Sequence, residues 1–129
     1  MLFRSFNKVR NHFGVGRLVQ AAALAALADQ NHLHWVREQV IAARASFGLV
    51  ALENGLVPLP SATNFLTIDC GKDGDFARWV LAELLERDIF VRMPGVAPLD
   101  RCIRVSLGGV AELAAFSAAL PAALAAAKG

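Results

Sequence analysis

Residues 101–109 read RCIRVSLGG, and the parsing of this run decides the character of the chain. Its positions alternate: Ile103, Val105 and Leu107 fall to one side of an extended strand, and Cys102, Arg104 and Ser106 to the other. One side is core. The other presents a guanidinium between two small residues, and the pair Gly108–Gly109 closes the strand. A guanidinium held on a strand is a receptor for carboxylate or phosphate, because its planar fork matches either group bidentately. The same pattern also describes a strand arginine turned to water.

Residues 89–93, IFVRM, repeat the alternation, with Ile89, Val91 and Met93 on one side and Phe90 and Arg92 on the other. Only the loop PGVAPLD, residues 94–100, separates this second strand from the third, which predicts antiparallel pairing. If the two polar faces coincide, Arg92 and Arg104 converge. Two unpaired cations repel at close range, so such a pair calls for an anion, or an acidic partner such as Asp100, between them.

Working outward, NFLTIDC at 64–70 is a strand with Phe65, Thr67 and Asp69 opposite Leu66 and Ile68. GKDGD at 71–75 turns the chain into a helix over about 75–87, capped by Asp75 or its neighbour and carrying Phe76, Val80 and Leu84 at helical spacing. Upstream, Leu33, Val36, Val40, Ala43, Phe47, Val50 and Asn54 step by threes and fours along one long amphipathic helix that ends at Gly55. VPLPSA at 57–62 is extended, because its prolines forbid helix. RLVQAAALAALA at 17–28 is a helix with no breaker, and a last helix runs from Val110 towards Ala127 with Leu113, Phe116 and Leu120 inward and Pro121 kinking or restarting it. The expected fold class is α+β: a small, mainly antiparallel three-stranded sheet covered by helices, preceded by the long amphipathic helix.

At 129 residues the chain is one domain's worth, and its apolar share of 56% against 19% charged is skewed towards burial. A net charge of +2 argues against nucleic acid as a partner, and the basic residues Arg4, Lys8, Arg10 and Arg17 read as a solvated or packed segment. No targeting segment is visible, and the longest uncharged run, Leu113–Ala127, is short and broken by Pro121, so a soluble, cytoplasmic protein with no membrane partner is expected. Cys70 and Cys102 read as reduced, buried thiols. Other constellations carry no chemistry. GVG at 14–16 is a helix start, His32 and His34 point to different faces, Ser106 has no histidine relay, and DGD at 73–75 is a turn, so no metal is expected.

Taken in order, KVRNHFGVGRLVQAAALAAL at 8–27, PSATNFLTID at 60–69, IFVRMPG at 89–95 and CIRVSLG at 102–108 resemble the C-terminal, small-domain part of a fold-type-I pyridoxal-phosphate aminotransferase of the histidinol-phosphate aminotransferase-like group. The resemblance runs nearly the whole chain. It implies that Arg104 holds the anionic end of the substrate, a carboxylate or a phosphate, and that Arg92 assists in phosphate-recognising members. It also implies that Asn64 lies near the active-site wall, with Asn11, His12 and Phe13 as further candidates on the segment leading past the cleft. By the same resemblance, residues 1–30 pack on a large pyridoxal-phosphate-binding domain of the same enzyme, residues 31–129 form the small domain, and the assembly is a homodimer.

The departure from the family is large. Pyridoxal-phosphate transamination needs a Schiff-base lysine, an aspartate against the pyridine nitrogen and a cradle for the cofactor phosphate. In relatives these precede the matching segment. The lysines here are Lys8, Lys72 and Lys128, none in the family's lysine motif, and there is no tyrosine to contact the cofactor. No catalytic residue and no cofactor are therefore expected for the isolated chain, which reads as a fragment, a truncated gene product or one piece of a split aminotransferase. The competing expectation is a non-catalytic remnant that serves as an interaction or dimerisation module.

Overall fold

Glycine and aspartate punctuate the first helices of the computed structural model, which describes residues 14–127. Asn11, His12, Phe13, Arg4, Lys8, Arg10 and Lys128 lie outside the described residues. Gly16, in extended backbone, precedes α1, Arg17–Ala28. Asp29 closes α1 and accepts from the His32 amide at 2.9 Å, which opens α2, Gln30–Glu53. The chain divides into two compact units, Met1–Val36 and Arg37–Gly129, with the boundary inside α2. In the first unit no residue of α1 is buried, and Leu18, Leu24 and Leu27 are all exposed.

The second unit begins with the remainder of α2. Of the stripe read from the sequence, Val40 and Ala43 are half-buried and Phe47 and Val50 fully so. The helix ends in a Schellman motif: Leu56 N–H bonds the Ala51 carbonyl and Gly55 N–H the Leu52 carbonyl, both at 3.0 Å, with Gly55 at φ +74°.

The sheet has the order β1 (Val57–Pro58), β2 (Phe65–Asp69), β3 (Cys102–Ser106), antiparallel throughout. Leu66 faces Val105 and Ile68 faces Ile103 on the core side, while Phe65 faces Ser106, Thr67 faces Arg104 and Asp69 faces Cys102 on the other. Two expectations are corrected. The third strand comes from the proline-bearing segment 57–58, and residues 89–93 contribute a single antiparallel bridge, Arg92 with Arg104. Asp88 in left-handed backbone (φ 60°) ends one side of that segment, and Pro94, with no amide to donate, ends the other. The alternation still holds there: Val91 is buried, and Phe90 and Arg92 are exposed. Cys102 is also buried, so Arg104 has a small exposed neighbour only in Ser106.

Helix α3, Gly74–Leu85, is capped by Asp73, whose carboxylate accepts from the Phe76 amide at 2.9 Å. Helix α4, Val110–Ala126, opens with the Glu112 carboxylate accepting from Gly109 N–H at 2.9 Å. It runs through Pro121 without a restart, because Leu120, Ala123 and Leu124 on either side are anchored in the core. Helices α2, α3 and α4 pack one cluster over the core side of the sheet, centred on Phe47, Ile68, Val80, Leu84, Ile103, Phe116 and Leu120. The Phe47 and Phe116 rings stack at 5.4 Å. This is the α+β sandwich expected.

Candidate anion-binding site

Arg104 is set by β3 on the side of the sheet away from the core, in register with Thr67 of β2. On its other edge it exchanges both main-chain hydrogen bonds with Arg92: Arg92 N–H to the Arg104 carbonyl at 3.0 Å, and Arg104 N–H to the Arg92 carbonyl at 2.6 Å. Directly paired residues project from the same face of a sheet, so the bridge brings both guanidiniums to one side.

Among the described residues neither arginine has a carboxylate partner. Asp69, the acidic residue nearest in register, is committed elsewhere: its Oδ1 accepts from Arg101 Nε at 2.8 Å and from the Gly71 amide at 2.8 Å. Burial raises the Asp69 carboxyl, but the Gly71 and Arg101 hydrogen bonds outweigh it and hold it below the ordinary aspartate range. Asp100 does not lie between the arginines either. Its carboxylate sits against Gly74 at the start of α3, 3.5 Å from where a Cβ on that glycine would be. The arrangement therefore leaves two arginines on one face with no carboxylate partner among the described residues.

Asn64 immediately precedes β2, and its carbonyl accepts from Leu107 N–H at 3.0 Å, which ties it to the end of β3. Its side chain is exposed and makes no hydrogen bond to either arginine. The structure thus brings Arg92 and Arg104 together and leaves Asn64 beside them without contact.

Two interactions around β2 went unread in the sequence. The Phe65 ring lies under the Arg104 guanidinium, with 4.8 Å from Cζ to the ring centroid. Alternation along NFLTIDC separates Phe65 from Leu66 and Ile68, but only the register with β3 puts it on the Arg104 face. Arg44 of α2 donates to the Thr63 carbonyl from Nη2 at 2.6 Å and from Nε at 3.3 Å; nothing in the sequence pointed across those nineteen positions.

Where residues 89–91 diverge from β3 beyond the bridge, a cleft of about 380 Å³ opens, lined by Phe47, Phe90, Val91, Val105, Ser106 and Phe116 among others. Neither receptor arginine lines it. Lys72 is the described lysine, and its Nζ sits 4.3 Å over the Phe76 ring at the start of α3. Among the described residues there is no cluster of His, Cys, Asp and Glu able to hold a metal ion, and no helix long and apolar enough to cross a membrane.

The class I and II aminotransferase family matches residues 1–120. The chain belongs to that family. This aminotransferase chain is 38% identical over 119 residues to histidinol-phosphate aminotransferase 2 of Ralstonia nicotianae, an alignment covering 92% of it and 32% of the relative. It is 37% identical over 107 residues to the histidinol-phosphate aminotransferase of Geobacillus thermodenitrificans, covering 83% and 28%. The crystal structure of histidinol-phosphate aminotransferase from Sinorhizobium meliloti in complex with pyridoxal-5'-phosphate superposes with a TM-score of 0.85 at 50% identity, covering 95% of this chain and 34% of that one. The aminotransferase chain spans about a third of the length of the curated relatives it matches.

Proposed function

We propose that this chain is the substrate-anion-recognising part of a pyridoxal-phosphate-dependent aminotransferase of the histidinol-phosphate type. The observation that carries the reading is the Arg92–Arg104 bridge, which aligns two uncompensated guanidiniums on one face. Arg104 is the principal anion contact, with Arg92 as second arm and Asn64 on the adjoining wall. In this reading residues 1–30 pack on a lysine-bearing cofactor domain, residues 31–129 form the small domain, and the assembly is a cytoplasmic homodimer.

The residues of this chain do not fit the cofactor. Lys72 stands over Phe76 rather than beside the arginine face, and the sequence offers neither the family's lysine motif nor a tyrosine. Transamination is therefore assigned to the assembled enzyme and not to this chain alone. A second reading, an interaction module without catalysis, draws on α1, whose apolar residues are all exposed.

The test is made on the enzyme that contains this chain. Arg104→Ala should weaken transition-state binding of the anionic substrate by about 2–4 kcal/mol, as a charge-assisted bidentate pair is lost. Arg104→Lys should restore only part, because an ammonium lacks the fork. Unchanged kcat/KM in both variants would return Arg104 to a solvated strand position.

A further inference from the structure

We infer that Phe65 is a positioning residue that holds the Arg104 guanidinium as a pre-formed anion fork; this rests on the anion-receptor reading above. Phe65 lies two positions before Thr67, the residue in register with Arg104, so its ring reaches the guanidinium diagonally across the same face. The Arg104 Cζ stands over the face of the ring, 4.8 Å from its centroid, within cation–π range. Stacking of this kind leaves the N–H edges free, and those edges are what a carboxylate or phosphate takes bidentately.

The backbone that carries the ring is itself tied on several sides. The Phe65 carbonyl accepts from Ser61 Oγ at 2.7 Å and from Thr63 Oγ1 at 3.1 Å, and its amide donates to Thr63 Oγ1 at 3.3 Å. One residue earlier, the Asn64 carbonyl takes the Leu107 amide at 3.0 Å. One earlier still, the Thr63 carbonyl takes the Arg44 guanidinium at 2.6 Å. Three successive carbonyls are thus tied, to a hydroxyl pair, to the end of β3 and to α2. The main chain beneath Arg104 is thereby anchored at the residue that supplies the ring.

Arg92 offers the contrast. Its backbone is fixed by the bridge, but its side chain is exposed and has no ring or hydrogen-bond partner among the described residues. Binding an anion must order that side chain, whereas Arg104 is ordered beforehand, and prior ordering strengthens binding without adding a contact. The two arginines therefore divide the work into a fixed fork and an adaptable second arm.

The experiment uses the full 129-residue chain, labelled with nitrogen-15, and follows the arginine Nε–Hε signals during titration with inorganic phosphate. The Arg104 Hε should resonate upfield of its random-coil position, from the Phe65 ring current. Phe65→Leu should abolish that shift and weaken phosphate binding about fivefold, as an ordering cost is restored, while Phe65→Tyr keeps both. A ring that only packs would lower the melting temperature and leave the phosphate affinity of the folded chain unmoved. If Arg104→Ala abolishes the phosphate response and Phe65→Leu leaves it unchanged, the positioning role is overturned and the receptor stands. A wild-type chain with no phosphate response, or one indifferent to Arg104→Ala, overturns the receptor and this inference together. Should Phe65→Leu not fold, an Arg104 Hε at its random-coil position in the wild type is enough to overturn the role.

Discussion

Arg92 and Arg104 stand directly opposite each other, each donating its amide to the other's carbonyl, at 3.0 and 2.6 Å. Like charges directly opposite on a sheet are destabilising, and here neither side chain has an acidic partner among the described residues. The proposed anion-binding role accounts for a charge left uncompensated in the free chain. Arg92→Thr should therefore raise the melting temperature of the chain in low salt while weakening phosphate binding. Added sodium chloride should narrow the difference in melting temperature, since it screens a repulsion between an exposed and a half-buried arginine. A variant less stable than wild type at every ionic strength would refute the repulsion.

Two glycines of similar surroundings should respond oppositely to alanine. A Cβ at Gly48, inside α2, would meet nothing within 4 Å, and the same is true at Gly55. The difference is backbone conformation alone. Gly48→Ala should stabilise by about 0.5–1 kcal/mol, through helix propensity and a less entropic unfolded chain. Gly55→Ala should cost about 1–2 kcal/mol, because φ +74° is unfavourable for an L side chain. Urea denaturation of both variants measures the signs.

The thiols predict a pH dependence with a definite direction. Burial pushes the Cys70 thiol up to about 11 and raises Cys102 as well. In the unfolded chain thiols ionise near about 8.5. Between that value and the folded one the unfolded state holds fewer protons, so stability falls as pH rises above about 8.5, and Cys70→Ala should flatten the slope. Asp69 gives the opposite limb. Its lowered pKa adds stability at neutral pH that is lost as pH falls below about 4, and Asp69→Asn should remove it. Both thiols should stay silent to Ellman's reagent at pH 8 until the chain unfolds.

Helix α1 buries none of its residues, and Leu18 is 87% exposed. Leu24 and Leu27 are likewise exposed, and clustered apolar exposure of this kind favours association. The isolated chain should bind a hydrophobic dye and self-associate, and Leu18→Glu with Leu24→Glu should suppress both. Light scattering coupled to size exclusion decides. A monodisperse, dye-silent monomer would remove the argument that this helix belongs against another domain.

The elements themselves were legible in the sequence, because each rests on a local rule. The period of Val40, Ala43, Phe47 and Val50 marks α2 and Gly55 supplies the left-handed residue its end requires, whereas the cap of α3, read at Asp75 or its neighbour, falls at Asp73. Strand alternation puts Arg92 and Arg104 on the less apolar side of their strands and separates Phe65 from Leu66 and Ile68. Pairing was not local. A two-residue strand through Pro58 took the sheet edge, while IFVRM, with the stronger strand pattern, gave one bridge between Asp88 and Pro94. The partners of charge were decided the same way. Asp69 turned to Arg101, Asp100 to the start of α3, and Arg44 crossed to the Thr63 carbonyl, since a side chain's partner depends on which backbones the packed core brings within reach. Composition and period determine which face a residue occupies; only the packed sheet determines that two arginines share that face with a phenyl ring beneath one of them and no carboxylate between.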